Sequence, residues 1–350
     1  MTAKRAVTDA ERTTTRSIDN RPAELAGRAR TRHTEDLIER IKESADQLAR
    51  DGSTRGDLKI LSRALRELRY AFKVFTPYRR AYKVSVFGSA RTPADNPSYQ
   101  QAVRFGREMA EKNWFVLTGA ASGIMEAGHV GAGREKSMGL NIMLPFEQDA
   151  NPVIAGDHKL VHMKYFFTRK LMFVKECDAV VCFPGGFGTL DEGLEVLTLL
   201  QTGKRDMVPV IFMNPEGGDF WEPFHQFVLD RLLKQGMISP EDLALYKIID
   251  NCEEAINEIL TFYRVYHSMR YVKNKLVFRL QKIPSESWIN QISQDFADIL
   301  VDGCFEVTEP LDAEKDEPDL NELSRLVFEF NRRSLGRLRQ LIDRINLDLA

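Results

Sequence analysis

The residues best equipped for chemistry form one string, Pro184-Gly-Gly-Phe-Gly-Thr-Leu-Asp-Glu192. It follows an apolar run, Ala179-Val-Val-Cys-Phe183, that reads as a buried strand, and it opens a segment with helical spacing. Glycine at such a turn lets the backbone approach a ligand without interference from a Cβ. The free N–H groups and the dipole of the helix that follows favour a phosphate. Gly185, Gly186 and Gly188 are therefore candidate phosphate-binding positions, and Thr189 either caps the helix or offers its hydroxyl to the anion. Glu192 stands one turn into the helix, from where its carboxylate reaches back over the same pocket. A tight strand–helix turn with a capping-box glutamate would account for a shorter string of this kind; the nine residues together count against that reading.

Pro-Gly-Gly-x-Gly-Thr-x-x-Glu resembles the signature of the LOG family, whose members were often labelled lysine decarboxylases. Phe166-Phe-Thr-Arg-Lys170 is similar to the family's Arg-Lys segment on the preceding helix, and Val86-Phe-Gly-Ser-Ala-Arg91 to its first strand and loop. Thr118-Gly-Ala-Ala-Ser-Gly-Ile-Met-Glu126 takes the place of its second glycine loop, and Gly139-Leu-Asn-Ile-Met-Leu-Pro145 resembles its third strand. The likeness covers roughly residues 82–235 and neither end of the chain. It implies a phosphoribohydrolase that splits the N-glycosidic bond of a nucleoside 5′-monophosphate, of the AMP or cytokinin riboside monophosphate type, into free base and ribose 5-phosphate. It implies no metal and no cofactor.

The family's catalytic arginine and glutamate fall on Arg169 and Glu192. Glycosidic cleavage builds positive charge on the sugar, which a carboxylate stabilises while it orients ribose hydroxyls or activates water. An arginine holds phosphate bidentately or stabilises the departing base. Glu192 is thus expected to serve ribose and water, and Arg169 the nucleotide. Gly88, Ser89 and Gly119, at the ends of the first two strands, join the expected substrate-binding set. Ser89 and Arg91 either contact phosphate or cap the first helix; Lys170 faces phosphate or solvent; Glu126 faces the base or is a surface charge. Asp191 reads as compensation of the helix dipole. Met125, Met163 and Met172 read as core, and the histidines show no ligand spacing. One departure stands out: Ala120 and Ala121 occupy positions where the family usually has glycine, and each added methyl narrows the pocket or alters substrate choice. An alternative is a non-catalytic nucleotide or molybdenum-cofactor-binding protein on the same scaffold. A true lysine decarboxylase would need a Schiff-base lysine for pyridoxal phosphate, and no segment singles one out.

Positioning these residues takes a repeated strand–helix alternation. Strands are expected at 84–87, 114–118, 138–144, 179–183 and 208–213, with helices at 97–112, 122–135, 164–176, 189–202 and 220–235. Apolar strands alternating with amphipathic helices imply a Rossmann-like, doubly wound parallel sheet with ligands at the carboxyl ends of its strands. Ahead of this Rossmann-like domain (81–265) lie an Arg-rich arm, 1–33, read as disordered, and a helical extension, 34–80, with Thr34 as the N-cap of its first helix. Residues 252–273 read as one long helix. A small α+β domain, 270–350, follows, with strands at 275–280, 304–308 and 326–330, helices at 285–300 and 332–347, and an acidic loop from Asp312 to Glu322.

Composition sets the limits. Apolar residues make up 43% and charged residues 29% of 350, with a net charge of −2, which gives no electrostatic reason to expect nucleic acid or a membrane as partner. The chain lacks a long apolar span and a signal-like N-terminus, so a cytoplasmic location is the expectation. Cys177, Cys182, Cys252 and Cys304 form no zinc pattern and read as reduced thiols. The resemblance implies a homodimer or larger homo-oligomer acting on a small-molecule nucleotide.

Overall fold

A computed structural model of the chain describes residues 32–144, 149–314 and 317–350, with side chains from Thr34 onward. The arm expected at 1–33 falls almost wholly outside the described residues. Two compact units are present, with the boundary after Arg63. The first holds α1 (Arg32–Arg50), the Asp51-Gly52 turn, and the opening of α2 (Arg55–Phe75). Thr34 is not the cap of α1, because the helix already begins at Arg32. At α2, Thr54 and Asp57 cap each other: the Asp57 carboxylate accepts from the Thr54 N–H at 3.0 Å, and the Thr54 hydroxyl oxygen accepts from the Asp57 N–H at 3.2 Å. The unit boundary runs through α2 because Ala64, Ala71 and Phe75 are buried in the second unit.

That unit contains a seven-stranded, all-parallel sheet of β1 (Lys83–Phe87), β2 (Phe115–Thr118), β3 (Ser137–Ile142), β4 (Leu160–Met163), β5 (Ala179–Cys182), β6 (Val210–Met213) and β7 (Lys247–Ile249). Their spatial order is β4-β3-β2-β1-β5-β6-β7. The chain winds outward from β1 to β4 through α3 (Pro97–Glu111) and α4 (Ile124–Lys136). It returns along α5 (Phe166–Glu176) to β5 on the other side of β1, and continues through α6 (Phe187–Gln201), β6, α7 (Glu222–Phe227) and β7 to α8 (Cys252–Phe262). The winding direction reverses between β1 and β5, and loops beyond that point part to leave a crevice. Strand residues such as Val84, Val86, Val180, Val181 and Ile211 are buried, as a sheet covered on both faces requires. The Rossmann-like α/β reading is therefore correct.

Two strands escaped the sequence reading: β4, of four residues with the exposed His162 inside it, and β7, of only three. The helix expected at 252–273 ends at Phe262, and Tyr266–Val272 forms β8. Its partner β9 (Lys275–Leu280) follows a two-residue loop in which Lys273 takes φ 57°, so hairpin pairing overrides helical periodicity there. With β10 (Glu306–Thr308) and β11 (Ser324–Phe328) they form an antiparallel sheet in the order β10-β11-β9-β8, flanked by α9 (Glu286–Asp295) and α10 (Leu335–Asp348). Within the acidic loop Glu314 is fully buried and paired with Arg279 of β9 and Arg325 of β11.

On one face of the parallel sheet, α3 and α4 pack backbone to backbone. A Cβ at Gly131 would lie 2.0 Å from the Val103 carbonyl oxygen, whereas one at Gly128 would meet nothing nearer than the Val116 side chain at 3.4 Å. Gly131→Ala is accordingly expected to lower stability by about 2–4 kcal/mol, since main chain yields less readily than a side-chain tip. Gly128→Ala is expected to be neutral or slightly stabilising through helix propensity. Urea midpoints of the two variants against the parent chain test the contrast.

Candidate active site

Three loops meet at the reversal between β1 and β5, and main-chain groups lock them. Phe183 N–H donates to the Phe87 carbonyl at 2.8 Å and Ser89 N–H to the Pro184 carbonyl at 3.0 Å, so the β1 and β5 loops continue the ladder past the strand ends. Ile124 N–H donates to the Ser89 carbonyl at 3.0 Å and the Ser122 hydroxyl to the Ala90 carbonyl at 2.8 Å, which draws in the β2 loop. Gly185 is needed at this junction: a Cβ there would sit 2.0 Å from Thr189 Oγ1 and 3.1 Å from the Ser89 nitrogen. At Gly186 and Gly188 a Cβ would meet nothing within 4 Å, so their backbone borders open space.

The helix after this loop begins at Phe187, with Gly186 as its N-cap and no side-chain cap. Thr189 is thus inside the first turn and is not the cap, and Glu192 is not part of a capping box. Its carboxylate turns toward α5 instead. Arg169 Nη2 lies 3.5 Å from Glu192 Oε1, with both side chains largely buried. The guanidinium packs over the rings of Phe166 and Phe173, at 5.0 and 5.8 Å from their centroids. A Cβ at Gly119 would lie 3.5 Å from Arg169 Nη1, which places the β2 loop against the same group.

This pair is loose. At 3.5 Å the contact is the outer limit of a hydrogen bond and is not the bidentate fork that arginine and carboxylate otherwise prefer. The buried Arg169 Nε has no hydrogen-bond partner among the described residues. Burial pushes the Glu192 carboxyl up to about 7, against the pull of Arg169 and Lys170. Burial likewise lowers the Arg169 guanidinium from its ordinary value, with Glu192 and Asp191 opposing. Two groups of opposite charge are therefore held facing, desolvated and incompletely paired, a state suited to gripping a polar ligand between them.

Other expected site residues have other partners. Lys170 Nζ lies 2.8 Å from Glu195 Oε2, 3.0 Å from Asp191 Oδ2 and 3.9 Å from Glu192 Oε2, so it ties α5 to α6 and braces Glu192. Asp191, expected only to offset the helix dipole, is part of that tie. Ser89 Oγ accepts from Arg91 N–H at 3.1 Å within its own loop, and Asn96 caps α3 in place of Ser89 or Arg91. Arg91 is exposed. Gly88 packs on Ile124. Glu126 is half-buried in the first turn of α4, and its charge reinforces the burial that raises the Tyr99 hydroxyl of α3. An open cavity of about 530 Å³ lies elsewhere, beyond β6 and β7, lined by Arg104, Glu108, Glu216, Asp250, Asn251 and Glu253. Four carboxylates to one guanidinium make it a poor host for a phosphate. Among the described residues no three His, Cys, Asp or Glu side chains cluster as a metal centre requires. No helix there is long and apolar enough to cross a membrane.

Comparison with known proteins points the same way as the loops. Residues 119–259 match the protein family described as "Possible lysine decarboxylase". A cytokinin riboside 5′-monophosphate phosphoribohydrolase of Arabidopsis thaliana is 30% identical over 192 residues, which is 53% of this chain and 84% of that protein. The chain belongs to the LOG family. The LOG enzyme of Oryza sativa subsp. japonica, a cytokinin riboside 5′-monophosphate phosphoribohydrolase, is 32% identical over 155 residues, covering 41% of this chain and 59% of that protein. Among solved structures, a molybdenum cofactor binding protein from the phototrophic bacterium Rippkaea orientalis aligns with a TM-score of 0.34 and 23% identity, over 51% of this chain and 94% of that one.

In this LOG family member the expected effect of Ala120 needs correction. Ala120 does adopt φ 61°, the conformation that favours glycine. Its methyl, however, points into the protein over Gly139 of β3, in a small buried cluster with Ile154 and Leu160, and does not narrow the space before Arg169. A polar network missed by sequence reasoning holds the loop in place. Asn151 N–H donates to the Ala120 carbonyl at 2.8 Å, Asn151 Nδ2 to the Ala121 carbonyl at 3.2 Å, and Ala120 N–H to Thr118 Oγ1 at 2.9 Å. His129, fully buried, lies 3.1 Å from Asn151 Nδ2 through Nδ1 and 3.0 Å from the Met138 carbonyl through Nε2, so a neutral ring protonated on Nε2 satisfies both. Burial pushes its pKa down to about 4, which keeps the ring neutral.

The raised carboxyl at Glu192 has a thermodynamic signature in this LOG protein. The folded state holds that proton more tightly than the unfolded chain, whose value is near 4.5, so this residue's contribution is fully present below pH 4.5 and is lost as pH rises through about 7. Glu192→Gln, which mimics the protonated form, is expected to match the parent chain near pH 4.5 and to exceed it by about 3 kcal/mol at pH 8. Thermal melts of both proteins across this range test it; a difference independent of pH would contradict the burial of an ionising carboxylate.

Proposed function

We propose that this chain is a nucleoside 5′-monophosphate phosphoribohydrolase, acting on nucleotides of the AMP or cytokinin riboside monophosphate type. The observation that carries this reading is the loose, buried Arg169–Glu192 pair beside the glycine loop at the reversal between β1 and β5. The phosphate sits against the Gly185–Thr189 turn, where Gly186 and Gly188 border open space and the α6 dipole favours an anion. Glu192 lies under the ribose and Arg169 beside the nucleotide, held there by a contact to Glu192 that is at the outer limit of a hydrogen bond.

The reaction then follows from the charges. The bond from C1′ to the base nitrogen breaks with its electron pair leaving on the base, and the sugar becomes cationic. The Glu192 carboxylate stabilises that cation and takes a proton from the water that adds to C1′; the departing base takes a proton from solvent, and Glu192 returns its own to solvent, so one water is consumed. Ribose 5-phosphate and free base are the products. Because Glu192 works as the carboxylate and titrates at about 7, kcat/KM is expected to rise with pH along a limb centred near that value. Glu192→Gln is expected to lose about 100-fold or more in kcat and Arg169→Ala a comparable factor in kcat/KM. Chromatography of a panel of nucleoside monophosphates incubated with the purified protein tests this. Nucleotide retained without release of base would overturn it in favour of a binding protein.

We also infer self-association. Phe166, Phe167 and Leu171 of α5 and Phe187 and Leu194 of α6 are all exposed around the site, Phe187 at 91%. Apolar side chains grouped this way mark a contact surface, and a second copy of the chain would cover them. Light scattering is expected to report at least a dimer for the parent chain and a smaller species for Phe187→Glu combined with Leu171→Glu; a monomeric parent chain would refute the inference.

A further inference from the structure

Helix α5 carries Arg169 and Lys170, yet its own sequence does not cap it: Tyr165, the N-cap residue, makes no side-chain cap hydrogen bond. Its start is held instead by a distant helix. Glu67 of α2, itself buried, accepts the Lys164 backbone N–H on Oε1 at 2.9 Å and the Thr168 hydroxyl on Oε2 at 2.8 Å. One carboxylate thus satisfies a main-chain donor before the first turn of α5 and a side chain at the end of that turn, and its negative charge faces the positive end of the helix dipole. Thr168 immediately precedes Arg169, so the grip fixes the rotation of α5 where the arginine leaves the backbone.

We propose that Glu67 is a positioning residue for Arg169: by clamping Lys164 and Thr168 it sets the register and tilt of the first turn of α5, and hence the distance between the guanidinium and Glu192. This rests on the reading of Arg169 as part of the reacting site. It assigns the second half of α2, which precedes the parallel sheet, a part in the reaction that none of the residues in the glycine loops supplies. The effect falls on the orientation of a group in the transition state and only weakly on ground-state binding, so kcat bears it more than KM.

The test combines variants at position 67 with the Arg169→Ala background. In the full-length protein Glu67→Ala is expected to lower kcat about 10- to 100-fold with KM changed less than about threefold, and Glu67→Gln, which keeps an oxygen for the Lys164 N–H, to recover most of that loss. On the Arg169→Ala background the same Glu67→Ala substitution is expected to cost less than about twofold, because the group it positions is gone. Hydrogen exchange of the 164–170 amides is expected to quicken in Glu67→Ala while the β-strand amides keep their protection. Equal losses on both backgrounds, unchanged kcat in a folded Glu67→Ala protein, or unchanged exchange at 164–170 would each overturn the proposal; if Glu67→Ala does not fold, Glu67→Met, which fills the same space without an acceptor for the Lys164 N–H or the Thr168 hydroxyl, carries the same comparisons. Absence of base release by the parent chain would refute the reaction assigned to the site, and the exchange arm would still decide whether Glu67 clamps α5.

Discussion

Two buried side chains of opposite charge are kept from closing on each other. Taking a carboxylate and a guanidinium out of water is costly, and the usual remedy is a short bidentate contact. Here α5 and α6 hold Arg169 and Glu192 at 3.5 Å, with Lys170 on one side and the rings of Phe166 and Phe173 on the other. The fold around them maintains that gap. The Lys170 tie to Asp191 and Glu195 fixes α5 against α6 and leaves the pair its freedom. In the reading proposed above, what the pair forgoes in mutual attraction it keeps for the substrate.

The topology explains why the gap lies where it does. Only between β1 and β5 does the parallel sheet change winding direction, so only there do successive loops diverge beyond the strand ends. The glycine turn at Pro184 uses that divergence, and the β1 and β2 loops close against it through amide and carbonyl groups. Backbone strain at Ala120 is sustained by the buried Thr118–His129–Asn151 network beneath it, in keeping with the tendency of unfavourable φ values to persist where surroundings over-determine them.

Much of this was legible from residue patterns because the information is local. The string from Pro184 to Glu192 carries its own turn, helix start and carboxylate within nine positions, and the strand 179–183 announces itself as an apolar run. Features set by partners distant in the chain were not legible. Glu67 meets Thr168 across about a hundred residues, and nothing in the helical spacing of α2 distinguishes it from a solvated acid. Tyr266–Val272 fits a helical period until the hairpin turn at Lys273 commits it to a strand. The direction of the Ala120 methyl depends on Gly139 in a neighbouring strand. Lys170 reads as facing phosphate or solvent because the acids that engage it lie one helix later.

The bonds that run from one loop to another at this junction are made mostly by peptide groups, with Ser122 Oγ adding a hydroxyl to them. A fastening of that kind ignores what each residue displays beyond its Cβ. Ala90 and Ala121, whose ties are made by their carbonyl groups alone, are free to drift in type while the loops keep their junction, so divergence among relatives at these positions carries little penalty to the scaffold. The same architecture confines innovation to whatever side chains the rim presents, and leaves the glycine turn at Pro184 indifferent to it.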